Sequence, residues 1–177
     1  MFEKIRVFFF KNALGKLLAE QKRHRKTNTL DSARTLGILF DASTANARQE
    51  VAEFVKKLEK EGKKIQTLGF FNTKQLPESH QFDSFTLKES TWQGNPKSEK
   101  AAAFATEKFD LLLSFNPDDL PQLQWLAVAS QAAMKIGLAT DHRNDFDIQL
   151  ETPEGKGVRF FTEQLAIYLD KIVLTKS

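Results

Sequence analysis

The sequence predicts an α/β domain with a Rossmann-like three-layer sandwich, in which helices cover both faces of a mostly parallel sheet of five or six strands. Two observations support this fold class. Short apolar runs, typical of strands buried on both faces, alternate with longer segments of helical periodicity. Helix-capping residues follow these runs, and the connections are long enough to cross over a parallel sheet. At 177 residues the chain has the length of one domain.

The chain begins with a basic amphipathic segment, residues 1–26, which we expect to form a helix of about six turns. Its apolar residues recur every three or four positions, at Phe2, Ile5, Phe9, Ala13 and Leu17. The segment carries a formal charge of +6, whereas the rest of the chain carries −3. Residues 27–34 are polar and predict a linker to a single α/β domain over residues 35–177.

The first strand-helix-strand unit follows the linker. Residues 36–40 read as a buried strand, and residues 41–44 supply candidate N-caps for a helix that ends near Gly62. A second strand is predicted over residues 65–71. This order and the length of the crossover predict parallel pairing with a right-handed connection.

The middle of the chain is less regular. Residues 72–95 contain one strand-like piece, Phe82 to Thr86, and a polar loop around Trp92 that is either a docking surface or a lid over the sheet. Asn95 and Pro96 form a typical helix start, with Asn as the cap and Pro in the first turn.

The remaining elements complete the alternating pattern. We expect, in order, a strand over 109–115, a helix from Asn116-Pro117 to about residue 131 with acidic residues in its first turn, and a strand over 134–139. An edge strand or hairpin arm over 146–150 and a closing helix over 160–173 follow.

Polar residues follow the predicted strands at one edge of the sheet, where open parallel sheets bind their ligands. The ligand-binding candidates are Asp41, Ser43, Thr44, Asn72, Asn116, Asp141 and His142, with Ser114 and Thr140 beside them. Helix N-termini there would offer N–H groups to an anion, and a carboxylate would bind a hydroxyl or a metal ion. In the alternative interpretation these residues are only helix caps and turn residues.

Several signatures of catalysis and cofactor binding are missing. There is no cysteine, no Walker loop and no G-x-G-x-x-G after the first strand, and the three histidines lack metal-ligand spacing. We therefore name no catalytic residue, expect neither a cofactor nor a metal, and favour a non-enzymatic protein, with a small-ligand-binding protein or an enzyme that uses the carboxyl ends of the strands as the alternative. The apolar runs are too short for a membrane span or a secretory signal, so we expect a cytoplasmic protein.

The basic N-terminal segment carries the strongest functional indication, and three interpretations remain open. Its cations would neutralise the phosphates of RNA or of the ribosome, which we favour, or its apolar face would lie in an anionic membrane surface. Alternatively, that face packs on its own domain or on a second copy in a homodimer. The residues expected to bind an acidic partner are Lys11, Lys16, Lys22, Arg23, Arg25 and Lys26.

Three stretches carry a resemblance to a known family: Arg34 to Asp41, Gly62 to Lys64, and Trp92 to Ser98. On these stretches the chain resembles a small family of Bacteroidota proteins known only as a domain of unknown function. The resemblance covers most of the chain and implies a bacterial, cytoplasmic setting. It implies no chemistry and assigns no catalytic residue.

Overall fold

The computed structural model describes the backbone of residues 1–176 and the side chains through Ile172. The helices are α1 (Phe2–Glu20), α2 (Ala45–Lys60), α3 (Glu99–Thr106), α4 (Pro121–Ala129) and α5 (Val158–Lys176), with a short 3₁₀ turn at Leu87–Glu89. The strands are β1 (Thr35–Asp41), β2 (Lys64–Phe71), β3 (Asp83–Thr86), β4 (Leu111–Phe115), β5 (Met134–Leu138) and β6 (Ile148–Leu150).

The six strands form one sheet in the order β3-β2-β1-β4-β5-β6, and every neighbouring pair is parallel. This is the strand order of a doubly wound Rossmann fold. In the centre of the sheet Ile38 pairs with Thr67 on one side and with Leu113 on the other. The predicted fold class is confirmed, and the sheet is wholly parallel.

Two layers of helices cover the sheet. Helices α2 and α5 cover one face, where Val51 and Phe161 pack against strand residues such as Ile38. Helices α3 and α4 cover the other face, where Phe104 and Leu126 join the core. Helix α1 packs on the outer side of α4 and adds a further layer there.

The sheet accepts large aromatic side chains because glycines lie beneath them. A Cβ atom on Gly37 of β1 would lie 2.7 Å from the ring of Phe109 and 3.1 Å from that of Phe104. Both rings are buried. The abundant phenylalanine of the sequence is therefore used largely in the core.

The predicted six-turn helix is too long: α1 ends at Glu20 and the chain then becomes extended. The reason lies in contacts with the domain. Gln21 donates from Nε2 to the carbonyls of Val128 (2.7 Å) and Ser130 (2.8 Å), and the N–H of Lys26 donates to Ala133 (3.1 Å). These bonds satisfy carbonyl groups at and just after the end of α4. If α1 continued as a helix beyond Glu20, Gln21 and Lys26 would not reach these carbonyls.

Two predicted helix starts are wrong by a few residues. Pro96 pairs with Ser90 in an antiparallel bridge, so α3 starts only at Glu99, with Ser98 as its N-cap. The Asn116 side chain closes a turn through Leu120, accepting from its N–H and donating to its carbonyl, and α4 follows this turn. In both places a turn competes successfully with the helix start.

Candidate functional site

The polar residues that follow β1 and β2 are used in local structure. The carboxylate of Asp41 accepts the N–H of Ser43 at 3.0 Å, and the Ser43 hydroxyl accepts the N–H of Asn72 at 3.1 Å. Thr44 caps α2, accepting from the N–H of Ala47 at 3.2 Å. These bonds fit the interpretation of the four predicted residues as caps and turn residues.

The polar residues that follow β4 and β5 come together around Asp119. Its carboxylate accepts the hydroxyl of Thr140 at 2.8 Å and lies 3.7 Å from Nε2 of His142. His142 therefore pairs with Asp119 and not with its sequence neighbour Asp141. Asp119 also has a φ of 50°, in the left-handed region that aspartate adopts more readily than most non-glycine residues, and it lies in the turn that precedes α4.

Two spaces open beside this cluster. The inner cavity, which reaches Ser114 and Phe146, has a volume of about 20 Å³, enough for about one water molecule. The outer groove measures about 450 Å³ and lies between α1 and the ends of the strands. Asp119 and His142 line both spaces. The groove has the size of a small-molecule site, whereas the inner cavity does not.

The second candidate site is α1, whose apolar residues are only partly covered. Phe10 and Leu14 are buried against Val128 of α4, with Trp125 beside them at a ring distance of 6.4 Å from Phe10. Leu17 is partly buried in the same cluster. The second half of the helix thus packs on its own domain, as one of the open interpretations requires.

The first half of α1 is uncovered. The exposed fractions are 83% for Phe2, 61% for Phe8 and 45% for Phe9, and Ile5 is also exposed. The ring of Phe9 contacts that of Trp92 at 5.8 Å, edge to face, and Trp92 is itself 56% exposed. We call these five residues the aromatic patch. Such a group of exposed rings marks an interaction surface more often than scattered apolar residues do.

Arg23 has a structural role in the fold. Its side chain is 1% exposed and forms ion pairs with Asp145 at 3.2 Å and Asp147 at 2.8 Å. The guanidinium also donates to the carbonyls of Ala132 and Ala133. Although we expected Arg23 to meet an acidic partner, its charge is engaged inside the protein.

A buried lysine completes this network. Lys135 of β5 is fully buried, and its Nζ donates to Asp145 at 2.9 Å and to the carbonyl of Val128 at 3.0 Å. Burial lowers the pKa of Lys135 to about 8, because the charged ammonium loses its hydration and the nearby Asp145 only partly compensates. Arg23, Lys135, Asp145 and Asp147 together form what we call the buried ion network.

The other predicted basic residues lie on the surface. Lys11, Lys16, Lys22, Arg25 and Lys26 are exposed, and Arg25 also pairs with Asp147. Within the described residues, no group of three or more His, Asp or Glu side chains is placed to hold a metal ion. No helix in the same part of the chain is long and apolar enough to cross a membrane.

Three features of these sites were missed in the sequence. Asp119 falls in the first turn of the helix predicted from Asn116-Pro117, where an acidic residue is ordinary. Lys135 lies within an otherwise apolar strand, and this lone charge on a buried run is the one indication of its role. The partners of Arg23 lie more than a hundred residues away in the chain, so no local pattern could reveal them.

Comparison with known proteins identifies the family to which this chain belongs. No curated protein matches the sequence. The pattern of a family of unknown function, DUF6913, matches residues 6–172, nearly the whole chain. The chain therefore belongs to the DUF6913 family of unknown function.

Proposed function

We propose that this protein is a non-enzymatic binding module that docks on an anionic membrane surface through the first half of α1. The observation that carries the proposal is the aromatic patch. Phe2, Ile5 and Phe9 recur at intervals of three and four residues, so they share one side of the helix, and this side is exposed.

The energetic argument starts from apolar area. Moving one phenylalanine side chain fully out of water contributes a favourable transfer free energy of about 1.5–3 kcal/mol. Helices that lie in the membrane interface have this composition, with Phe, Trp and Leu on one side and Lys or Arg beside them. Trp92, in contact with Phe9, adds the side chain that is most typical of the interface.

The charges of residues 1–26, which we call the N-terminal arm, favour an acidic surface. Lys4 and Lys16 are exposed on α1, and Lys22 and Lys26 are exposed in the extended segment that follows. A basic residue near an anionic leaflet contributes about 1 kcal/mol. Stable attachment of a protein without a membrane span takes an apolar and an electrostatic signal together, and the arm carries both.

Two other partners would use some of the same features. RNA would use the cations and the aromatic rings of the patch, but the exposed aliphatic side chain of Ile5 neither pairs with phosphates nor stacks on bases, whereas a membrane surface would bury it. A symmetric dimer through the aromatic patch would cover the apolar side chains but would leave the exposed cations Lys4 and Lys16 without an anionic partner. An anionic lipid surface accepts both the apolar side chains and the cations.

The proposal extends to the setting of the protein. We infer a cytoplasmic location, with attachment to the anionic inner leaflet, and the Bacteroidota origin that the sequence resemblance implies. Inner leaflets rich in anionic lipid attract basic segments, which agrees with the charge of the arm.

Vesicle flotation tests the proposal. The full-length protein is expected to float with vesicles of phosphatidylglycerol and phosphatidylcholine, weakly with phosphatidylcholine alone, and less as salt rises. The double variant Phe2→Ser/Phe9→Ser should lose at least tenfold in vesicle affinity. Leu76→Ser, which changes an exposed leucine elsewhere, should not. Salt-sensitive binding to ribosomal RNA without vesicle binding would overturn the proposal in favour of RNA.

A further inference from the structure

We propose that the groove between α1 and the ends of β4 and β5 binds a small amphipathic anion, one carboxylate or phosphate group joined to a short apolar chain. This site differs from the aromatic patch in place and in ligand. One wall is formed by α1 residues, Phe10, Lys11 and Leu14 among them, and the other by residues 141–143.

The charges along the groove favour an anion. Lys11 lines one wall and Arg143 the other, and in the described part of the chain neither forms an ion pair. Arg143 reaches across to α1, since its Nη1 would lie 3.5 Å from a Cβ atom on Gly15. Two cations on opposite walls are suited to hold one anionic group between them.

Two acidic residues, Asp119 and Asp141, also line the groove, so the formal charges of its four charged side chains sum to zero. The carboxylate of Asp119 accepts the hydroxyl of Thr140 and lies 3.7 Å from Nε2 of His142. Binding of an anion therefore depends on direct contact with Lys11 and Arg143, which form no ion pair among the described residues, and not on a net positive charge.

The size and the apolar lining specify the rest of the ligand. The volume of about 450 Å³ lies in the range of small-molecule sites, and a short alkyl chain with one head group would occupy it. Val7, Phe10, Leu14 and Pro121 provide the apolar lining. A ligand with a short alkyl chain would bury that chain there while its head group meets Lys11.

Isothermal titration calorimetry with decanoate tests this site, because decanoate carries one carboxylate and a short apolar chain. We expect saturable one-to-one binding by the full-length protein below the micelle concentration, with decyl phosphate similar and decanol at least tenfold weaker. Binding by decyl phosphate but not by decanoate would identify the phosphate as the head group and still support an anion site.

The double variant Lys11→Gln/Arg143→Gln should weaken decanoate binding at least tenfold. Lys16→Gln, a charge change on the same helix outside the groove, should not. Both variants change exposed side chains, so the fold is expected to persist, and circular dichroism checks this. No binding to the wild type, equal binding of decanol, or an equal loss in Lys16→Gln would overturn the proposal. Phe2→Ser/Phe9→Ser should retain decanoate binding, which separates this site from membrane docking.

Discussion

Arg23 and Asp145 form an ion pair at 3.2 Å in which the arginine side chain is almost wholly buried. The pair joins the extended segment after α1 to the loop before β6, two parts of the chain that are far apart in sequence. Lys135 and Asp147 complete the surrounding network. This network and the contacts of Gln21 hold the N-terminal arm against the domain and so fix the position from which the aromatic patch projects.

The first prediction concerns Arg23. Replacing it with alanine leaves the largely buried carboxylate of Asp145 with Lys135 as its one ion-pair partner among the described residues and removes one partner of Asp147, and breaking a buried ion pair typically costs 3–5 kcal/mol. We expect Arg23→Ala to lower the free energy of unfolding, measured by urea denaturation, by about 3 kcal/mol. The exposed neighbour Lys22 provides the matched control, and Lys22→Ala should change stability by less than about 0.5 kcal/mol. Equal effects of the two variants would show that the network does not stabilise the arm.

The second prediction concerns pH. The pKa of Lys135 is lowered in the folded state from its ordinary value of 10.5 to about 8. Between these values the unfolded chain binds more protons than the folded chain, so the free energy of unfolding rises with pH from about 8 to 10.5. A shift of this size corresponds to about 3 kcal/mol.

Lys135→Met removes this titration while keeping a long side chain. Urea denaturation across the pH range should therefore show that wild-type stability rises relative to the variant above pH 8. Parallel stability curves for the two proteins would contradict the assigned shift.

The third prediction concerns the packing of the sheet. Gly37→Ala places a Cβ atom against the buried rings of Phe109 and Phe104, and overpacking of this kind costs about 1–3 kcal/mol. We expect the melting temperature to fall by several degrees. Gly15→Ala makes the same chemical change in α1, where the new Cβ atom has an ordinary contact and helix propensity improves, so it should not destabilise. A stable Gly37→Ala protein would disprove the close approach.

The fourth prediction concerns the charges of the arm. Lys4→Gln/Lys16→Gln removes two exposed cations, each of which contributes about 1 kcal/mol to the binding free energy at an anionic surface. Affinity for anionic vesicles should therefore fall about 10- to 30-fold. Lys74→Gln/Lys108→Gln removes the same charge from exposed sites elsewhere and serves as the control. The measurement is flotation at several salt concentrations. If both double variants lose affinity equally, only the overall charge matters and the arm has no special role.

The fold was predictable because its determinants are local and repeated. Apolar runs such as Leu36 to Phe40 indicate strands buried on both faces, and Gly62, with a φ of 81°, ends α2 as expected. The helix starts after β4 and before α3 were less predictable. Before α4 the side chain of Asn116 closes a turn with Leu120, and before α3 Pro96 forms a bridge with Ser90. Neither contact is indicated by the local sequence pattern.

The candidate sites were less predictable because they depend on distant contacts. A run of basic residues gives no indication that Arg23 points inward while Lys22 stays in water. The periodicity of α1 likewise indicates an apolar side, but Phe9 and Phe10 are neighbours with different surroundings. Only the position of α4 decides that Phe10 is buried and that Phe9 stays partly exposed.

The most direct test of membrane docking is the fluorescence of Trp92. Trp125→Phe removes the other tryptophan and leaves Trp92, 56% exposed and in contact with Phe9, as the reporter. On addition of anionic vesicles, its emission should shift to shorter wavelength and be quenched by lipids brominated in the acyl chain. Unchanged emission with vesicles, together with a change on addition of RNA, would contradict the account.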